Sequence, residues 1–189
     1  MKPYNILVNK QNLLPPDYIP NDLTALDLPF DAPPNDPKRL MRKEAAQYAK
    51  LLFQASTDVG LKLYGISAYR SYARQKEIYD SSILDQGEEH TKKYIAPAGA
   101  SEHQTGLALD VSIPSLNLDL VTEFQNTPEG LWLSRNAHFY GFIIRYPKEK
   151  EAITGFSYEP WHIRYVSLPL SSYLSIRGLT LEEYLQVDI

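Results

Sequence analysis

The segment from Ser101 to Ile113, SEHQTGLALDVSI, constrains the fold of this chain most, because it places an acid inside an apolar strand. Four apolar residues alternate there with smaller or polar ones, which is the two-residue period of a β-strand with two different faces. The apolar face comprises Leu107, Leu109, Val111 and Ile113, and the other face comprises Ala108, Asp110 and Ser112. A buried carboxylate is costly unless it is paired or binds a metal. Asp110 therefore predicts a partner on its face of the strand.

His103 is a candidate for that partner. It lies seven residues before Asp110, and Gly106 between them permits a turn or a close approach of the backbone. Ala108 is small and leaves room beside the acid. The residues alone leave two interpretations open, a metal site or a hydrogen-bonded Asp–His pair at the end of a loop.

The short segment Glu159-Pro160-Trp161-His162 carries a second acid and histidine close together. Residues three apart face opposite sides of a regular strand, so a turn or bulge at Pro160 is needed to point Glu159 and His162 into one cleft. The alternative is a solvated Glu159 with His162 and Trp161 in the core. His90 lies in a polar segment and His138 in a helix. Neither is paired with an acid in an apolar or aromatic segment, so both are predicted not to be ligands.

The composition limits which partners and metal ligands are possible. A net charge of −4 gives no electrostatic case for nucleic acid or an anionic membrane. No cysteine is present, so any transition metal must be held by histidine and carboxylate, a set that suits zinc. No apolar run approaches the ~20 residues that span a bilayer. The first residues, MKPYNILVNKQN, lack an apolar signal stretch, which predicts a cytoplasmic protein. The alternative is an extracytoplasmic protein, if this sequence followed a signal or anchor.

The length of 189 residues predicts a single domain over 1–189. Residues 1–37 carry eight of the fourteen prolines, which predicts an extended arm packed on that domain, with a disordered linker as the alternative. Periodicity and capping residues predict helices over 38–57, 71–84 and 127–140, and a last short helix opened by the capping box at Thr180 and Glu183. Strands are predicted over 63–69, 107–113, 142–146 and 161–166, and a loop over 86–99. The fold class is α+β, with helices on a small, mostly antiparallel sheet.

The two motifs SEHQTGLALD and EPWH resemble the S-x-H-x-x-G-x-A-x-D and E-x-W-H motifs of the zinc D-Ala-D-Ala carboxypeptidase (VanY-type) family. The similarity extends through SAYRSYARQ at 67–75, GFIIRYP at 141–147 and EPWHIRYV at 159–166, and the N-terminal arm is similar as well. The resemblance implies a hedgehog/D,D-peptidase-like fold. It also implies one zinc ion per chain, held by His103, Asp110 and His162.

The same resemblance implies the remaining roles. Glu159 would be the catalytic base, and Arg70 would reach the scissile carbonyl or the substrate carboxylate. Ser101 and Gln75 would occupy substrate-contact positions, and Trp161 would wall the pocket. The implied activity is removal of a C-terminal D-Ala from a peptidoglycan stem peptide or its precursor, by attack of a metal-activated water. The alternatives are a wall endopeptidase of the phage-lysin type and a non-catalytic zinc-stabilised binding module.

Overall fold

The computed structural model describes residues 4–186, which contain two antiparallel sheets and seven α-helices. The strands are β1 (Leu23–Ala25), β2 (Leu40–Arg42), β3 (Tyr64–Ser67), β4 (Ala108–Ser112), β5 (Phe142–Tyr146) and β6 (Glu159–Tyr165). The helices are α1 (Lys43–Asp58), α2 (Tyr72–Gln86), α3 (Glu88–Tyr94), α4 (Pro128–Asn136), α5 (Glu151–Thr154), α6 (Leu168–Arg177) and α7 (Leu181–Gln186). The α+β prediction is confirmed.

The central sheet has the strand order β3-β4-β6-β5, and all of its pairs are antiparallel. The two faces of this sheet carry different kinds of side chain. The apolar side chains of β4 and β6 pack with α1 in the main core, which also includes Leu52 and Phe53. The opposite face carries Asp110 of β4 and His162 of β6, and these two residues are register partners on neighbouring strands. The period-two prediction for residues 107–113 is therefore confirmed, and it decides which face holds the polar residues.

The segment before α1 lies against the rest of the protein. Among its side chains, Tyr4, Val8, Leu14 and Leu26 are buried, whereas Leu13 and Ile19 are exposed. The Gln104 side chain donates hydrogen bonds to the carbonyl oxygens of Pro15 and Tyr18, at 3.0 and 3.2 Å. The predicted arm begins at residue 1, and its first three residues lie outside the described residues. The single-domain extent of 1–189 stays a prediction.

Several predicted boundaries were wrong. The first helix begins at Lys43 rather than at Lys38, because residues 40–42 pair with β1 and residues 37–39 form a 3-10 turn. The loop predicted over 86–99 contains α3, which starts after Gly87. The third helix ends at Asn136 and continues to Tyr140 only as a 3-10 turn. The separate two-stranded sheet of β1 and β2, α5 and α6 were not predicted.

Other local predictions are confirmed. Ser71 caps α2 by accepting a hydrogen bond from the Arg74 amide. In the capping box of α7, the Thr180 amide donates to Glu183 and the Glu183 amide donates to Thr180, at 2.8 and 3.1 Å. Within residues 4–186, no helix combines the length and apolar character that crossing a bilayer requires.

Candidate active site

The turn that precedes β4 brings His103 back toward Asp110. Residues Glu102–Thr105 form a 3-10 helix that ends at Gly106, whose φ of 65° lies in the left-handed region. A side chain there would also meet Leu23 at 2.7 Å and Arg42 at 3.2 Å. Glycine is therefore required both by the backbone conformation and by the close packing of the N-terminal segment.

A bulge in β6 brings together the acid and the histidine of the second motif. Ile144 of β5 pairs with Ile163, but Tyr146 pairs with Glu159, so two steps along β5 correspond to four along β6. The extra residues break the alternation of side chains. Glu159 and His162 consequently face the same space, with 3.8 Å between Glu159 Oε2 and His162 Nδ1. The predicted turn or bulge near Pro160 is confirmed.

His103, Asp110 and His162 converge on one point. His103 Nε2 lies 3.1 Å from Asp110 Oδ2, and His162 Nδ1 lies 2.9 Å from Asp110 Oδ1. One ligand atom of each residue lies within 4.8 Å of the other two, and each residue is only 4% exposed. The two rings are perpendicular, with centroids 5.0 Å apart. Two nitrogens and one carboxylate oxygen can hold a single zinc ion, and three protein ligands leave a position open, as in catalytic sites.

The second nitrogen of His103 is already occupied. His103 Nδ1 lies 2.6 Å from the carbonyl oxygen of Ala68, and a carbonyl can only accept, so Nδ1 carries the proton. Its Nε2 is therefore the lone-pair nitrogen that points at Asp110. A metal-ligating histidine is normally oriented in this way, by a hydrogen bond from its other ring nitrogen.

Glu159 stands next to this group, in an environment that favours proton exchange. Burial raises the pKa of its carboxyl, the charges of Asp110 and Glu102 raise it further, and His162 and Arg70 oppose them; the resulting pKa is about 7. Its side chain is 16% exposed at the cleft. A carboxyl with this pKa exists in both protonation states near neutral pH, so Glu159 can both accept and donate a proton.

Arg70 also lies close to the ligand group. Its Nη1 donates to Gln75 Oε1 and its Nη2 donates to Ser67 Oγ, both at 3.0 Å, while Nη2 lies 3.9 Å from Asp110 Oδ2. Burial lowers the pKa of the guanidinium, and Asp110 opposes this shift. The planar side chain is thus fixed in direction, with its charge near the space that a substrate would occupy.

All eight residues predicted for the site line one cleft of about 600 Å³. Ser101 and half-buried Trp161 form part of its wall. The buried Gln75 amide is engaged at both ends, because it also donates to the carbonyl oxygen of Ala96 at 2.7 Å. Gln75 therefore ties Arg70 to the segment after α3. His90 lies exposed on the rim of the cleft, outside the ligand group, while His138 lies away from it.

Sequence reasoning missed a buried ionic cluster behind the histidines. Glu102, Arg145 and Arg164 are almost fully buried, and Glu102 Oε1 accepts hydrogen bonds from both arginines, at 2.7 and 2.5 Å. Burial alone would raise the pKa of Glu102, but the two guanidinium groups hold it well below its usual range. A signal was present, since both arginines interrupt apolar strands and Glu102 precedes a candidate ligand.

The protonation of His162 predicts how the metal-free protein responds to pH. Burial would lower the pKa of this ring, but Asp110 and Glu102 raise it from 6.5 to about 9. The folded state then binds a proton that the unfolded state releases, so this contribution to stability is complete below about 6.5 and is lost as the pH rises through 9. The raised pKa of Glu159 acts in the same direction at lower pH. Thermal unfolding in a chelator should show a falling Tm between pH 6.5 and 9, and a Tm that rises over this range would contradict the prediction.

Comparison with known proteins agrees with this geometry. A family model described as "VanY: D-alanyl-D-alanine carboxypeptidase" matches residues 38–168, a range that contains every predicted site residue. The putative carboxypeptidase YodJ of Bacillus subtilis is 47% identical over 97% of this chain and 68% of its own length.

Two solved structures show the same likeness. The LD-carboxypeptidase LdcB, whose structure concerns peptidoglycan recognition, has a TM-score of 0.90 at 47% identity, covering 95% of this chain and 84% of its own. The vancomycin-resistance D,D-pentapeptidase VanY, solved as a mutant in complex with Zn(II), has a TM-score of 0.79 at 33% identity, covering 96% of this chain and 98% of its own. This chain belongs to the VanY family of D-alanyl-D-alanine carboxypeptidases and is an enzyme of the carboxypeptidase class.

Proposed function

We propose that this protein is a zinc carboxypeptidase that removes the C-terminal D-Ala from peptidoglycan stem peptides, with His103, Asp110 and His162 as the zinc ligands. The observation that carries the proposal is the convergence of these ligands in one cleft that Glu159 and Arg70 also line. The family membership and the Zn(II) in the VanY structure support it.

When bound, zinc supplies a Lewis acid and lowers the pKa of a water molecule to about 7. Glu159 accepts the proton of the attacking water and returns a proton to the amine that leaves. Burial raises the pKa of this carboxyl toward neutral pH, and a general catalyst is most effective when its pKa lies near the working pH. Its distance of 3.8 Å from His162 places it beside the ligand group.

Arg70 stabilises negative charge on the substrate. A guanidinium is a suitable partner for the developing oxyanion or for the free terminal carboxylate of the substrate, because it is planar and always charged. Ser67 and Gln75 fix its orientation before substrate binds, so little reorganisation is needed during the reaction. The Ser101 hydroxyl, at the wall of the cleft, is a further donor for that carboxylate.

Substitution of Arg70 tests this role. Arg70→Ala should lower kcat by about 10²–10³, the usual cost of losing one stabilising donor. Arg70→Lys should recover only part of the activity, since lysine keeps the charge but loses the two-pronged geometry. Arg74→Ala is a matched control, because Arg74 is exposed on α2 and pairs only with Glu77 among the described salt bridges. Steady-state kinetics with a stem-peptide substrate gives the measurement, and unchanged kcat in Arg70→Ala would exclude the role.

The substrate class is tested by mass spectrometry of the products from tetrapeptide, pentapeptide and D-Ala-D-Ala substrates with zinc present. Loss of one terminal alanine from the tetrapeptide indicates L,D cleavage, and loss from the pentapeptide indicates D,D cleavage. Cleavage inside polymeric wall would instead indicate an endopeptidase, and zinc binding without any cleavage would indicate a binding module.

A further inference from the structure

The cluster behind the histidines links both ends of the described chain to the candidate zinc site. Arg145 donates to Glu102 and makes two hydrogen bonds to Glu182 of α7, at 2.8 and 2.6 Å. Arg164 donates to Glu102 and to the carbonyl oxygens of Tyr4 and Ile6, the latter two at 3.1 and 2.8 Å. Two arginines and two glutamates are thus buried together with balanced charge.

Burying such a cluster costs free energy, and this cost is offset only when the charged groups are all hydrogen-bonded. One atom of this cluster lacks such a partner. Glu102 Oε1 accepts from both arginines, but Oε2 has no hydrogen-bond partner within the described residues, although it is buried. An unpaired carboxylate oxygen next to a candidate metal ligand needs an explanation.

A second unpaired atom lies on the ring that Glu102 faces. His162 Nε2 is buried without a hydrogen-bond partner in the described chain, and it lies 3.6 Å from Glu102 Oε2. This distance is slightly longer than a hydrogen bond, so a small rotation of either side chain would form one. A lone donor and a lone acceptor therefore face each other in a closed space.

The direction of the ring decides which nitrogen can bind metal. His162 Nδ1 is the nitrogen that faces Asp110 and Glu159, at 2.9 and 3.8 Å, so it lies on the side where the three ligands converge. Nε2 points away, toward Glu102. His103 has the opposite arrangement, with Nδ1 held by the Ala68 carbonyl and Nε2 at the ligand group.

We propose that Glu102 is the positioning residue of His162: its Oε2 accepts the Nε2 proton and so presents Nδ1 to the zinc ion. Arg145 and Arg164 donate to Oε1 and so fix the direction of the carboxylate. A carboxylate on the far nitrogen of a metal-ligating histidine orients the ring and makes it a better ligand. The inference rests on the zinc site of the proposed function and adds a residue that does not itself contact metal or substrate.

The test compares two isosteric substitutions in the same cluster. Glu102→Gln should weaken zinc binding about 10–100-fold, because the carboxylate facing Nε2 is lost. Glu182→Gln is the matched control, since it also removes a buried carboxylate from Arg145 but does not face His162. Zinc dissociation constants are measured by competition with a chelator, alongside thermal unfolding of both metal-free variants. Equal affinity of the two variants would overturn the proposal.

A second measurement covers the case in which Glu102→Gln does not fold. Histidine ring ¹⁵N spectra of the zinc-loaded wild-type protein should show His162 with a proton on Nε2 that exchanges slowly with water, and with Nδ1 bound to metal. A proton on Nδ1 with metal on Nε2 would overturn the inference. If wild-type protein binds no zinc, the inference and the proposed function fall together. If zinc binds and only the Glu102 results disagree, the inference alone fails.

Discussion

Glu159→Ala should lower the rate of D-Ala release by about 10²–10⁴, the contribution that a positioned general acid–base residue makes, while zinc stays bound. The reason is geometric. The carboxylate lies 3.8 Å from His162 Nδ1 and is not one of the three converging ligands, so its removal leaves the donor set intact. It does remove the buried carboxyl beside the ligands, whose pKa burial raises toward neutral pH and which can therefore accept and donate a proton.

The measurement pairs kcat on a tetrapeptide or pentapeptide with the zinc content of the same samples. Glu159→Gln keeps the volume of the side chain and should be as inactive as the alanine variant, because an amide cannot take up the proton. Glu151→Ala, at an exposed acid on α5, is the control and should behave as wild type. Full activity in Glu159→Ala with zinc bound would end the proposed mechanism.

The parts of this site that could be predicted from the sequence are the local ones. The alternation around Asp110 and the freedom of Gly106 are properties of a few neighbouring residues, and both appear in the structure as the sequence suggests. The bulge at Pro160 follows from requiring two side chains three residues apart to share a cleft. The roles of Arg70, Gln75 and Ser101 were implied only by family resemblance, because nothing near them in sequence reveals the cleft.

What could not be predicted depends on long-range pairing. The strand β2 replaces the first turn of the predicted helix because residues 40–42 find partners at 23–25, and helical spacing of apolar residues cannot show this. Glu102 likewise reads as an ordinary acid until Arg145 and Arg164, over forty residues away, are brought against it by β5 and β6. The sequence shows only that each arginine interrupts an apolar strand, and which acid pairs with it depends on contacts among four separate segments.

Asp110→Asn is expected to have the second large effect, on zinc binding itself. Asp110 is the centre of the ligand group, with one oxygen near each histidine, and it is the only carboxylate among the three ligands. Asparagine keeps the shape but removes the charge that compensates the cation. Zinc affinity should fall by well over the ~10–100-fold that loss of a hydrogen-bonding partner of a ligand costs, and activity at limiting zinc should vanish.

The same variant also tests the electrostatics of the metal-free state. Hydrogen bonding to Asp110 is a principal reason why the pKa of His162 is raised to about 9, so Asp110→Asn should return that pKa toward 6.5. The fall in Tm between pH 6.5 and 9 should then become shallower, because the folded state no longer holds the extra proton. Asp119→Asn, at an exposed acid, should change neither zinc affinity nor the pH profile. If Asp110→Asn bound zinc as tightly as wild type, Asp110 would not be a ligand and the convergence of the three side chains would be an ordinary buried ion pair.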